Sequence, residues 1–254
     1  MKKAILLFIV ALMIAPVASA IDRMPAEVKP AGVTVVIPRQ AIDNAPALEV
    51  FTIIHHARPD KPGKPGKGPK GETCYGFISG KAKLIETENV LINPTNSGMT
   101  EEDVLNTIQV SASTWDNETS TQIFGDFTKD YTADFDTYAD GRNEVSFGNY
   151  PQNGVIAVTR IWGYFSGKPN SRYISQFDIM FDTDFAWGDA EIDATLMDLQ
   201  NIATHELGHT TGLNDTYSDS CKEVTMYGYS AYGETKKRTL ETPDISGLQI
   251  LYGI

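Results

Sequence analysis

The eleven residues His205, Glu206, Leu207, Gly208, His209, Thr210, Thr211, Gly212, Leu213, Asn214 and Asp215 constrain this 254-residue chain more than any other stretch. Two histidines four positions apart share one face of a helix, so both imidazoles can reach one cation while Glu206 projects beside them. Gly212, three residues past His209, can take a left-handed backbone at little cost, ending the helix and turning Asp215 back toward the same point. Two imidazoles and a carboxylate around an open fourth position are the ligand set of a catalytic zinc centre, with Glu206 as its general base; a structural zinc site more often closes with cysteine. The chain has four histidines, and the other two, His55 and His56, lie far upstream, so no downstream histidine can be the third ligand. Asp219 is a rival to Asp215 but breaks the spacing from Gly212. Apolar residues Leu196, Leu199, Ile202, Ala203 and Leu207 recur at helical spacing through the motif, and Asp193 is placed to cap that helix.

The motif resembles the extended zinc signature of the metzincin peptidases, in which the third ligand is usually histidine and is aspartate in the snapalysin-like members. Residues Thr225, Met226, Tyr227, Gly228 and Tyr229 resemble the methionine turn of the matrixin branch, with Gly228 where proline is usual. Astacin-like and serralysin-like chains place a zinc-binding tyrosine two residues after this methionine; here that position is Gly228, so the matrixin-like branch fits better. The resemblance implies an α+β metzincin fold: a twisted mixed β-sheet with an active-site helix, the Met-turn at Met226 and a C-terminal helix. It implies zinc on His205, His209 and Asp215, and peptide-bond hydrolysis by a zinc-activated water with Glu206 as general base. It further implies a structural calcium near Asp178, Asp182 and Asp184, for which a metal-free acidic loop is the equal alternative. In the family an edge strand above the zinc pairs with extended substrate, and Val155 to Trp162 is the best candidate for it. Tyr227, Tyr229 and Tyr232 either shape the substrate pocket or pack as core aromatics. From another functional class, a zinc-stabilised secreted binding protein without turnover fits the same motif, but an intact Glu206 speaks against it.

The chain opens with Lys2, Lys3, an apolar run from Ala4 to Val17 and the small residues Ala18, Ser19 and Ala20, which read as a signal peptide ending at residue 20. Secretion to the extracellular space follows as an expectation. The two cysteines, Cys74 and Cys221, then meet an oxidising compartment and can pair with no thiol left over. That disulfide would pin the start of the catalytic domain to the loop between Asp215 and Met226, contributing about 3–5 kcal/mol in the chain-entropy description. Residues 60–71 alternate lysine, proline and glycine without an apolar residue and read as a linker open to proteolysis. It separates an N-terminal extension or propeptide, residues 21–59, from a catalytic domain over 72–254. The extension holds two strand-like runs, Val33 to Ile37 and Leu48 to Ile54, too little to build a core alone. The cysteine switch of matrixins is missing, so if the extension keeps a zymogen silent the blocking group has to be another, such as His55, His56 or Asp60. Further on, Thr100 to Asp103 read as a helix start, and strands are expected at Phe77 and Ile78, Leu84 to Leu91, Val145 to Phe147, Val155 to Trp162 and Ile174 to Phe181. A last helix is expected from Thr242, with Ile245, Leu248 and Leu251 inward and Gly253 as its stop. A net charge of −12 and a pI near 4.7 exclude nucleic acid and stable association with an anionic membrane. A monomer acting on protein or peptide substrates is expected.

Overall fold

The computed structural model describes residues 48–58 and 73–254, all within one compact unit. The expected signal peptide, the run at Val33 to Ile37, Asp60 and the expected linker lie outside the described residues. The strands are β1 (Glu49–Ala57), β2 (Gly76–Phe77), β3 (Glu88–Ile92), β4 (Phe124–Lys129), β5 (Glu144–Gly148), β6 (Val155–Tyr164), β7 (Tyr173–Asp182), β8 (Trp187–Gly188), β9 (Met197–Asp198), β10 (Leu213–Asn214) and β11 (Tyr229–Ser230). The helices are α1 (Glu101–Asp116), α2 (Leu199–Thr210) and α3 (Thr242–Tyr252).

Seven strands form one sheet in the order β11-β1-β6-β7-β5-β3-β4. β3 runs parallel to β4 and β5, and β5 parallel to β7; β6 is antiparallel to β7 and to β1, while β1 is parallel to β11. The expected runs at Val155 and Ile174 are strands for a clear reason. Both are nearly continuous apolar segments, and only Arg160 and Tyr164 of β6 escape full burial, as a central strand covered on both faces requires. The run expected at Leu84 to Leu91 is shorter: β3 begins at Glu88, and Leu84 makes an isolated bridge to Ile174. At Phe77 the strand gives way to a 3-10 turn over Ile78–Gly80.

α1 starts where its Thr100 cap predicts: the hydroxyl accepts the Asp103 N–H and donates to the Asp103 carboxylate, while Val104, Ile108, Ala112 and Trp115 face inward. α2 corrects the expected cap. Asp193 closes a turn that holds Thr195, whereas Met197 and Asp198 pair with Trp187 and Gly188, so the helix cannot begin before Leu199. Its cap is Asp198, whose carboxylate accepts the Asn201 N–H at 2.8 Å and also receives Arg238. α3 is capped by Glu241 rather than Thr242, in a capping box closed by Asp244, and stops at Gly253 as expected. The disulfide between Cys74 and Cys221 is formed.

Candidate active site

α2 lays His205, Glu206 and His209 on the side of the helix that faces β6 and the turn after Met226, all three fully buried. Gly212 does turn the chain. Its φ is +106°, and a Cβ there would lie 2.2 Å from the Ala82 carbonyl oxygen, so only glycine fits. The turn leads into β10, which pairs with β2, and returns Asp215 to the histidines. Asp215 Oδ1 lies 3.1 Å from His205 Nε2 and 3.5 Å from His209 Nε2, and the two Nε2 atoms are 3.1 Å apart. Asp219 sits exposed on the next turn, outside this cluster.

The polar bookkeeping around these atoms fits a cation. His205 Nδ1 donates to the Thr225 carbonyl at 2.7 Å and His209 Nδ1 to the Leu213 carbonyl at 3.0 Å, which leaves both Nε2 lone pairs pointing at one another. Asp215 Oδ1 is buried without a hydrogen-bond partner. Two ring acceptors and a carboxylate oxygen facing each other in a dry site repel unless something positive sits between them. Burial pushes His205 down to about 3, keeping its lone pair free. The same cluster draws positive charge: against burial, Asp215 and Glu206 raise His209, and, again against burial, a protonated His209 in turn holds the Asp215 carboxyl well below the usual range.

Side chains from outside the motif complete the centre. Tyr217 donates its hydroxyl to Asp215 Oδ2 at 2.7 Å, and its ring lies so close over Gly228 that a Cβ there would be 2.2 Å from it. That explains why glycine follows Tyr227. Met226 lies under α2, where a Cβ on Gly208 would meet its sulfur at 2.4 Å and Trp115 at 2.6 Å. Asp244 holds the same turn from α3, accepting the Thr225 and Met226 N–H groups at 2.9 and 3.1 Å. Glu206 accepts from the Thr159 hydroxyl of β6 at 2.6 Å and from His55 Nδ1 of β1 at 2.8 Å. Burial pushes the Glu206 carboxyl up to about 7, into the range of a general base that works near neutrality.

Tyr227 is largely buried and meets Tyr229 edge-on, while Tyr232 is exposed and lies against Phe185. The three carboxylates expected to share calcium do not meet. Asp178 and Asp182 are four residues apart on one extended strand, about 13 Å at the rise of a β-strand. Asp182 accepts the Asp184 and Tyr150 N–H groups, and Asp184 accepts from Asn149. Among the described residues the carboxylates that gather instead are Asp134, Asp136 and Glu144.

Nothing in the sequence marks Thr159, Tyr217 or Lys237 as site residues, and Asp244 is marked there only as part of the start of the last helix.

Residues 87–253 match the sequence model of the Peptidase M10 family, the matrixins. The chain belongs to the matrixin family. Its mixed sheet and three helices are those of an α+β metzincin fold, and membership implies zinc binding by a metallopeptidase-type domain. The metalloendoproteinase 4-MMP of Arabidopsis thaliana is 37% identical over 65 residues, 26% of this chain and 18% of that protein. The matrixin chain thus spans less than a fifth of that relative's length. No helix among the described residues of this matrixin is long and apolar enough to cross a membrane.

Proposed function

We propose that this matrixin is a secreted zinc metalloendopeptidase in which His205, His209 and Asp215 hold the metal and Glu206 is the general base. One observation carries the reading: two imidazole nitrogens and an unpartnered carboxylate oxygen converge in a buried site beside a carboxylate poised near neutrality. When bound there, zinc supplies Lewis acidity toward a carbonyl oxygen and makes water a better nucleophile. The protein's own part is proton handling. Glu206 takes the proton of the attacking water on a carboxylate oxygen and delivers it to the nitrogen of the leaving amine. Thr159 keeps one Glu206 oxygen in place by donating to it, and Tyr217 fixes the rotamer of Asp215 from the side away from the histidines. The Nδ1 bonds to Thr225 and Leu213 orient both rings.

The substrate is a protein or peptide met in extended form. Secretion rests on residues 1–20 and is checked by sequencing the N-terminus of exported protein. A structural calcium is proposed on the family resemblance alone; adding calcium to zinc-loaded protein should raise its melting temperature. The deciding experiment is hydrolysis of a mixed peptide library by zinc-loaded protein, cut within residues 61–70 and freed of its N-terminal fragment, beside Glu206→Gln in the same form. Loss of about 10²–10⁴-fold in the variant, with zinc still bound, is expected of a general base. Equal turnover in both would remove Glu206 from the role, and absent turnover with zinc bound would favour the binding-protein reading.

A further inference from the structure

β6, the strand expected to pair with substrate, already has a partner. β1 runs antiparallel along it from Glu49 opposite Gly163 to His55 opposite Ala157, then bulges so that His56 faces Val155. Its last residues, His56 and Ala57, run parallel to Tyr229 and Ser230 of β11, just past the methionine turn. The backbone is clamped on both sides: Ala57 N–H donates to the Gly154 carbonyl and Arg58 N–H to the Ser230 carbonyl, both at 2.8 Å. Side chains anchor each end. Phe51 packs edge-on against Phe165 at 4.6 Å, and Arg58 pairs with Glu234 at 2.9 Å.

Between these anchors the bulge delivers one side chain into the centre. His55 is fully buried, its ring 4.0 Å from that of His205, with Nδ1 donating to Glu206. Nδ1 is therefore protonated and Nε2 is left as an acceptor, and 3.4 Å from it lies the ammonium of Lys237. Lys237 is itself fully buried and also donates to the Tyr227 carbonyl. Lys237, His55 and Glu206 thus form one chain of donors and acceptors beside the proposed metal ligands. A Glu206 oxygen that accepts from His55 is not free to take a proton from water.

We propose that β1 occupies this protein's own substrate groove, bound as an extended peptide is bound, with His55 filling the pocket between Glu206 and Lys237 and holding the enzyme silent. The proposal rests on the peptidase reading of Glu206. It assigns His55 the blocking part in a chain whose two cysteines are tied to each other. It also gives Lys237 a part in specificity. Once β1 leaves, the pocket ends in a buried ammonium, so it takes a substrate side chain that carries a hydrogen-bond acceptor, a carboxylate, amide or imidazole, in preference to an aliphatic one.

The test uses the zinc-loaded full chain with a site-specific protease sequence placed within residues 61–70, as wild type and as His55→Ala. A fluorescein-labelled peptide of residues 48–58 probes the groove by anisotropy, independently of turnover, and a quenched peptide reads hydrolysis against Glu206→Gln. Intact wild type should bind the probe at least 10-fold more weakly than the cut chain freed of its N-terminal fragment. Hydrolysis should rise at least 10-fold on cutting, and His55→Ala should show part of both gains uncut. Cutting supplies the same comparison if the alanine variant folds poorly. Equal probe binding, or none, in intact and cut protein overturns the occupancy. The expected binding without hydrolysis anywhere sustains occupancy and sinks the peptidase reading; equal hydrolysis by intact and cut protein does the reverse.

Discussion

Of the three residues proposed to hold zinc, Asp215 is the one whose place is least fixed by local structure, because it comes from a turn rather than from the helix that fixes both histidines. Its position is set by Tyr217, which donates to Oδ2 and leaves Oδ1 facing the two Nε2 atoms. Removing that hydroxyl frees the carboxylate to rotate without changing the ligand set. Tyr217→Phe should therefore weaken zinc binding by about 10–100-fold, the usual cost of losing an outer partner of a metal ligand. Competition against a chromophoric chelator measures it, and an unchanged affinity would mean that the backbone alone positions Asp215. The same residues show what could be read beforehand. His205, Glu206, His209, Gly212 and Asp215 were legible because one helical turn and one left-handed glycine bring them together by local rules. Thr159 and His55 were not seen as partners of Glu206, from which they stand 47 and 151 positions away in sequence, and Lys237 stands 182 from His55. Contacts over such separations are made by sheet register, which periodicity does not supply.

At the scale of elements, the methionine turn is clamped between α2 and α3, with Met226 against Gly208 and Asp244 on its backbone. The adjoining loop after Asp215 has fewer apolar anchors: Cys221, Val224 and Tyr227 form a small cluster of their own, bonded to β2's end of the chain through Cys74. The disulfide closes a separation of 147 residues. By loop-closure entropy, such a crosslink stabilises by about 5 kcal/mol. Replacing both cysteines by serine should lower the melting temperature by roughly 10 °C or more, at about 2–4 °C per kcal/mol for a domain of this size. A calorimetric shift under about 2 °C would show that the unfolded chain is already constrained there. Elements with strong local signals were found as expected, α1 from its Thr100 cap and β6 and β7 from their apolar runs. Two were misplaced or missed for physical reasons. α2 starts late because β9 uses Met197 and Asp198 for pairing, and β4, alternating with glycine and charge at an edge, carries little apolar signal.

Across the whole molecule, the acidic side chains counted in the formal charge of −12 are not all at the surface, and some lie where water does not reach. Asp178 on β7 and Glu144 on β5 are register partners, both nearly fully buried, with Asp134 and Asp136 on the preceding loop beside Glu144. Burial pushes Asp178 up to about 8 and Glu144 up to about 7. Arg142 lies 3.0 Å from Glu144, and the guanidinium of Arg160 faces Asp178 electrostatically, yet neither restores an ordinary carboxylate. The sign follows from linkage. Between about pH 4 and pH 8 the folded protein keeps protons that the unfolded chain has released, so it binds more protons and loses stability as pH rises. The stabilisation is fully present below the ordinary carboxylate range and gone once pH passes the raised folded values. Metal-free wild-type protein should thus melt at a lower temperature at pH 8 than at pH 5.5. Asp178→Asn keeps an oxygen for the Asp136 N–H, which now bonds Asp178 at 3.0 Å, while removing the titration. Its melting temperature should change less over the same interval, so that variant and wild type diverge as pH rises. Differential scanning calorimetry at matched ionic strength reads both curves, and parallel curves would show that the buried cluster is already ionised and neutralised by its arginines.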